Sequence, residues 1–433
     1  MVPDVEPIER QSPGPSPGLV HRYGIVAVLG VALLARVLYW VRMSPDYVPL
    51  SDAIHYDELA QNIANGMGYA HKFPQLEAHP TAFRPPLYPA LLGGLYKVFG
   101  AHVVVGRVFS LVLGLGVVLL AYLLVLRIAG WRAAIVTGLL VAVYPPLLAN
   151  DTFLLTEPLS LLLMLAMLLM LDRHRWVWAG AFCGLLVLSR PSAQFIVVVV
   201  AAWVLWQVGW KRALTFVGVT ALLVVPWVLR NWIQVGEPVL VSSNGFNLAA
   251  SYSPQAKESN TFVDPVFDER FAGYRLVMFN EAEWDQAMQD LAIQSLKDDP
   301  GQVFRVIGRN TEQYFELDPS LNVNPETSDG RNLAFRDRTL WTFYVVTLVG
   351  LFGLVVRVRQ PTVLLVLTIA AYFTVSSLVL VAPPRVRAPF DLCCCIGVGL
   401  AVDWVWRRIE ARRRSTADEV AAATLSSGGG SPA

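Results

Sequence analysis

The chain has 433 residues, 55% of them hydrophobic and only 15% charged, against about 25% charged in an ordinary soluble domain. Lys and Arg number 34 and Asp and Glu 33, a net charge of +1, which gives neither the basic footprint nucleic acid needs nor the acidic excess of a solvating tail. The composition describes an integral membrane protein and excludes nucleic-acid binding as a first reading.

Residues 1–22 are polar and rich in Pro and Ser, and are expected as a cytoplasmic tail. The apolar segment Gly24 to Trp40 has no small-residue cleavage site after it and reads as a retained anchor. Further apolar windows of membrane length lie at 102–126, 133–149, 153–171, 176–189, 191–209, 213–229, 338–356, 361–382 and 389–406. The predicted fold is all-α and polytopic, with about ten transmembrane helices within residues 23–414. Charge bias supports this order: with the N-terminus inside, Arg127 and Arg132, Arg173 and Arg175, Lys211 and Arg212, Arg357 and Arg359, and Arg407 to Arg414 all fall in inner connections. The two long polar segments, 43–101 and 230–337, then share the outer side.

Within these outer segments, residues 84–99 are apolar but carry Arg84, Lys97 and three prolines, so they are expected as a helix lying at the interface. Trp284, Met288, Leu291 and Leu296 recur at helical spacing, and Val303, Phe304 and Ile307 continue the pattern after Pro300, predicting two amphipathic helices. The tail 415–433 is rich in Ser, Gly and Ala and is expected to be disordered. Cys183 and the run Cys393 to Cys395 lie in apolar stretches without metal or disulfide spacing.

The first outer segment opens with Ser51-Asp52-Ala53-Ile54-His55-Tyr56-Asp57-Glu58. Ser51 or Asp52 suits a helix N-cap, Leu59 and Ile63 form an apolar i, i+4 pair, and Gly66 and Gly68 end the helix. Asp52 has two readings: an N-cap, or a general base poised over the bilayer.

Asp52-Ala53, Tyr56, Leu59-Ala60, Asn62, Gly66-Met67-Gly68-Tyr69 and Arg84-Pro85-Pro86-Leu87-Tyr88-Pro89 together form a signature. Thr156-Glu157-Pro158, Ser189-Arg190-Pro191, Pro226-Trp227-Val228-Leu229-Arg230-Asn231 and Ser243-Asn244-Gly245-Phe246-Asn247 follow it in order. In these pieces the chain resembles the GT-C glycosyltransferases, and more narrowly the dolichyl-phosphate-mannose protein mannosyltransferase-like group that includes bacterial lipid A aminoarabinose transferases. The resemblance implies a polyprenyl-phosphate sugar donor and inverting transfer to an acceptor hydroxyl on the outer face of the plasma membrane. The acceptor is an envelope glycan, lipid or protein, and no cofactor is implied. Asp52 matches the family's catalytic carboxylate, with Asp57 as the reserve base.

A leaving phosphate needs cations, and Arg84, Arg190, Arg230, Arg385 and Arg387 are the outer arginines near apolar spans. Each has a structural alternative as a snorkelling side chain or ion-pair partner. Arg36 and Arg107 are expected to pair internally. Tyr56, Tyr88, Asp151, Glu157, Asn244 and Asn247 are the candidates for substrate contact. Asp151 and Glu157 would alternatively orient an arginine or complement a helix dipole, and Asn244 and Asn247 also suit a plain turn cluster. His55, His71, Glu77 and His79 lack diagnostic metal spacing, so no metal is expected. The rival functional class is a transporter or lipid flippase, which would more typically carry ionisable residues at membrane depth; an inactive scaffold of the same fold is a third.

Overall fold

The computed structural model describes residues 19–72, 78–274 and 280–427; most of the N-terminal tail, Glu77 and residues 428–433 lie outside them. The order is α1 (Leu19–Met43), α2 (Asp52–Ala64), the two-residue strands β1 (Ala70–His71) and β2 (His79–Pro80), α3 (Leu87–Phe99), α4 (Val103–Ala129), α5 (Trp131–Val143), α6 (Pro145–Asn150), α7 (Glu157–Asp172), α8 (Trp176–Val187), α9 (Ile196–Val208) and α10 (Trp210–Val235). Then come α11 (Asn244–Tyr252), α12 (Pro254–Ser259), α13 (Glu281–Asp298), α14 (Gln302–Tyr314), α15 (Val323–Ser328), α16 (Leu333–Val356), α17 (Pro361–Val379) and α18 (Ala388–Ser427). β1 and β2 pair antiparallel, His71 opposite His79.

Among the described residues seven helices are long and apolar enough to cross a membrane: those at Tyr23–Met43, Val103–Ala129, Pro191–Val208, Trp210–Val235, Leu333–Val356, Pro361–Val379 and Pro384–Thr416. The other three expected windows fold as shorter helices: α5 has 13 residues, α7 has 16 and α8 has 12, below the roughly 20 that a straight span requires. The core is built by α4, α5, α7 and α18, whose Val117, Val118, Tyr122, Met164, Met167, Leu168, Cys394 and Ile396 are buried. α9 and α10 instead expose Val198, Trp206, Trp210, Leu214 and Leu222, an apolar surface suited to lipid. α16 and α18 approach to backbone contact, since a methyl on Gly353 would sit 1.8 Å from the carbonyl oxygen of Gly397.

The polar segments fold as helices too. α13 buries Trp284 and Met288 and α14 buries Val306 and Asn310, while Phe304, expected on the apolar face, is exposed. Both segments dock where α17 ends and the chain turns toward α18: Tyr252 Oη donates to the Val379 carbonyl at 2.5 Å, Asn310 to that of Leu378 at 2.9 Å, and Asp52 meets Arg385 in the turn. The C-terminal region departs from the expected disorder, because α18 continues to Ser427. Ala421, Ala422 and Ala423 are the strongest helix formers, and no Gly or Pro stands between Gly399 and Gly428.

Candidate functional site

α2 begins abruptly. Ser51 takes a positive φ (52°) and its side chain makes no cap, so the helix opens on Asp52. The Asp52 carboxylate is not a cap either, because its two oxygens accept from Arg84 and Arg385, one each. α2 buries Ala53, Tyr56, Leu59 and Ala60, and α3 packs on that face through Gly93, where a methyl would meet the Ala60 carbonyl oxygen and Ile63 Cβ at 2.9 Å. The chain leaves α2 through Gly66 and Gly68, both at positive φ, an arrangement glycine alone adopts without strain.

The return strand places Arg84. Tyr69 Oη donates to the Arg84 and Pro85 carbonyls at 2.9 and 3.1 Å, and Glu281 accepts from Ala82 N–H at 2.7 Å and from Ser242 Oγ. The guanidinium lies over the Phe83 ring at 4.9 Å and the Tyr56 ring at 5.8 Å, favourable cation–π positions. Its Nε–H is buried with no acceptor in the protein.

Arg385 enters from the short turn Pro384–Arg387 ahead of α18. One terminal amino group donates to Asp52 and the other lies 3.2 Å from Asp329 Oδ1. Arg190 completes the edge: its Nη1 is 3.9 Å from Glu157 Oε1, and it donates to Ser192 Oγ at 2.8 Å and the Val386 carbonyl at 3.1 Å. Three carboxylates, Asp52, Glu157 and Asp329, thus share one region with three arginines, Arg84, Arg190 and Arg385. The side chains of Asp52, Arg84 and Arg385 remain 19%, 16% and 15% exposed, so the pair of arginines can be reached from outside.

The local field separates these acids. Burial alone would push the Asp52 carboxyl up, but Arg84, Arg385 and then His55 hold it well below the ordinary carboxylate range. Burial pushes Asp329 up to about 6 against the pull of Arg385 and Arg331. The Tyr56 hydroxyl is raised to about 12 by burial and then by Asp52, and burial, with Arg84 and His71, lowers His55 to about 3.

Other candidate residues have different work. Asp57 accepts from Tyr96 Oη at 2.5 Å and Gln61 at 2.7 Å, tying α2 to α3. Asp151 pairs with Arg36 at 2.5 Å inside the bundle, the internal partner expected of that arginine, and Arg107 donates to the Thr152 and Ser44 carbonyls at 3.0 and 2.8 Å. Arg230, another of the arginines expected for phosphate, donates to the Thr81 carbonyl at 2.5 Å and the Tyr69 carbonyl at 2.9 Å and so braces the hairpin. Arg387 is 1% exposed and fully engaged by Glu316 at 2.7 Å, the Tyr314 carbonyl at 2.6 Å and Asp391 at 3.2 Å. Asn244 and Asn247 donate to the Val241 and Ser243 carbonyls of their own turn at 3.1 and 2.8 Å. Tyr88 is buried edge-on against Tyr56 at 5.3 Å.

His71 pairs with Glu58 at 3.0 Å, His79 with Glu281 at 3.4 Å, and His55 stacks on His71 at 4.6 Å. Among the described residues no group of three or more His, Cys, Asp or Glu is arranged to hold a metal ion. Two acids escaped the sequence reading. Asp329 stands in a Ser-Asp-Gly run that reads as an ordinary turn, and Glu281 in a first helical turn where an acid merely complements the dipole. Neither carries a local signal of its partner.

The profile of the dolichyl-phosphate-mannose-protein mannosyltransferase family matches residues 83–231, a stretch that includes Arg84, Glu157, Arg190 and Arg230. A comparison with curated protein sequences gave no match. Among solved structures, the archaeal oligosaccharyltransferase AglB from Archaeoglobus fulgidus, in complex with an inhibitory peptide and a dolichol-phosphate, superposes with a TM-score of 0.53 at 15% identity, covering 96% of this chain and 53% of that one. The Archaeoglobus fulgidus enzyme tethered to an acceptor peptide containing the NVT sequon gives 0.53 at 16% identity over 91% of this chain and 51% of that one. ArnT from Cupriavidus metallidurans bound to undecaprenyl phosphate gives 0.41 at 15% identity over 91% and 79%. The chain spans about half the length of the oligosaccharyltransferase chains it matches, and the likeness is one of fold.

Proposed function

We propose that this protein, which has the fold of the GT-C superfamily of membrane glycosyltransferases, moves a sugar from a polyprenyl-phosphate donor to an acceptor hydroxyl. The observation that carries the reading is the Asp52 carboxylate held between Arg84 and Arg385 in a partly open site. Two guanidinium groups converging on one point make a receptor for phosphate oxygens, and the carboxylate beside them is a proton acceptor for a hydroxyl that approaches the far face of the sugar.

In this reading Arg84 and Arg385 hold the donor phosphate, with Arg190 and Glu157 bordering the site. The acceptor hydroxyl oxygen forms its bond to the anomeric carbon from the face opposite the phosphate, its proton passes to Asp52, and the bond from that carbon to the phosphate oxygen breaks. The polyprenyl phosphate leaves with the bonding electrons and the sugar configuration inverts. Positioning and fixed charge supply the catalysis. The matches also support a lipid-linked donor, since the mannosyltransferase family is named for dolichyl-phosphate-mannose and one structural neighbour was solved with dolichol-phosphate. The reaction would run on the extracytoplasmic side of the plasma membrane.

The test uses the full chain in proteoliposomes with radiolabelled polyprenyl-phosphate sugars and cell-envelope acceptor. Label appearing on the acceptor supports the reading. Absence of transfer from every donor, with saturable flux of lipid or solute across the vesicle, would place the protein with transporters instead.

A further inference from the structure

We propose that Asp329 is a positioning residue: it keeps Arg385 at the site when an incoming phosphate draws that arginine off Asp52, so that donor binding itself uncovers the base. This inference rests on reading the site as one for a lipid-linked phosphate.

Each oxygen of Asp52 accepts from a different arginine, so the proposed base is engaged by the same two cations that the phosphate needs. A carboxylate in that state is a weak proton acceptor, and chemistry requires that it be released. A phosphate presents more oxygens in the same place and competes directly for both forks. Arg84 also carries a buried Nε–H without a protein acceptor, and such orphans are uncommon in native proteins unless a ligand or water serves them.

Arg385 would lose its position if Asp52 were its sole anchor, but it has a second. Its other terminal amino group lies 3.2 Å from Asp329 Oδ1. Asp329 is itself fixed: its N–H donates to the Pro325 carbonyl at 3.0 Å, Gly330 N–H to that of Thr327 at 3.0 Å and Arg331 N–H to that of Glu326 at 2.9 Å. Gly330 turns at φ 81° with the Tyr47 ring 3.0 Å from where a methyl would stand, so the turn has little room to shift. The side chain of Asp329 is only 5% exposed. A rigid carboxylate on one amino group leaves the other free to change partner, from Asp52 to phosphate, with no movement of the backbone.

The experiment measures binding of undecaprenyl phosphate, without sugar or acceptor, to the purified full-length protein in nanodiscs. Wild type, Asp52→Asn, Asp329→Asn and the double variant form a cycle. Asp52→Asn removes the competitor and should tighten binding about tenfold. Asp329→Asn should weaken it by on the order of tenfold when Asp52 is present, because Arg385 can then close both amino groups on Asp52, and by less than about threefold in the Asp52→Asn background. Asp329→Glu, which keeps the charge, should restore most of the affinity. A merely structural role for Asp329 would weaken binding equally in both backgrounds, and that additivity would overturn the inference, as would an Asp52→Asn variant that binds no tighter than wild type. Both results leave the functional reading intact, whereas a wild type that binds no undecaprenyl phosphate overturns the functional reading and this inference with it.

Discussion

Asp52 and Arg385 are 333 positions apart in the chain and form a direct ion pair. The pair joins the first residue of α2 to the turn that precedes α18, and through Asp329 it reaches the second polar segment as well. Three distant parts of the chain therefore converge on one carboxylate, and the consequences of disturbing each part differ.

Arg84 and Arg385 should behave differently from Arg387. Replacing either of the first two by Ala removes a charged contact proposed for the donor phosphate, and donor KM should rise by on the order of tenfold or more. Arg387→Ala leaves Glu316 and Asp391 buried without their cation, which should cost roughly 3–5 kcal/mol of stability. Melting temperatures beside donor KM for the three variants check this. An Arg387→Ala protein with wild-type stability and a selective donor defect would reverse the assignment.

Asp57 serves as a control for Asp52. It accepts from Tyr96 and Gln61, so Asp57→Asn, which keeps an acceptor oxygen, should cost about 1 kcal/mol or less in stability and leave transfer within about threefold of wild type. Transfer assays on the purified variant decide the point, and a loss of two orders of magnitude would make Asp57 the base.

Gly93→Ala tests whether the seat of α2 matters to the site. The added methyl meets backbone and Ile63 at 2.9 Å, so α2 and α3 must part, at roughly 1–3 kcal/mol. Because α2 carries Asp52, transfer should fall along with the melting temperature. Unchanged transfer would show that the helix pair tolerates the shift.

Asp285 gives a pH signature separate from the site. Burial pushes its carboxyl from 3.8 up to about 6, opposed by the Gly245 N–H at 2.6 Å and by Gln289. The unfolded chain releases this proton first, so between about pH 4 and 6 the native state binds more protons and this group's contribution to stability falls as pH rises. Asp285→Asn has no such titration. Its melting temperature should therefore gain on that of wild type through that interval and run parallel above it. A constant difference across the interval would contradict the shift.

Much of the fold was legible because lipid imposes a simple rule: the apolar windows marked each helix of span length found among the described residues. Helix punctuation at Gly66 and Gly68, and the periodicity of α13 and α14, were equally local signals. At the site, the motif residues Asp52 and Arg84 do meet, and so does Arg385, chosen only for its place at the mouth of a span. Less legible were the protein partners that each cation takes. Arg230 and Arg387 have the right residue type and the right place, but a guanidinium is consumed by whichever carbonyl or carboxylate the fold brings to it, and those partners lie up to 161 positions away in the chain for Arg230. Asp329 was missed for the same reason, since a turn residue shows nothing of the arginine it will hold. The helix to Ser427 was not legible from bulk composition, because the Ser and Gly that signal disorder are concentrated at the very end of the tail while the alanines before them favour helix.

The most direct test of the account is transfer by Asp52→Asn in proteoliposomes that supply radiolabelled polyprenyl-phosphate sugar and acceptor, with undecaprenyl phosphate binding measured on the same protein. The account predicts that turnover falls by on the order of 10² to 10⁴ while the lipid phosphate still binds, at least as tightly as to wild type. Turnover at the wild-type rate would contradict it.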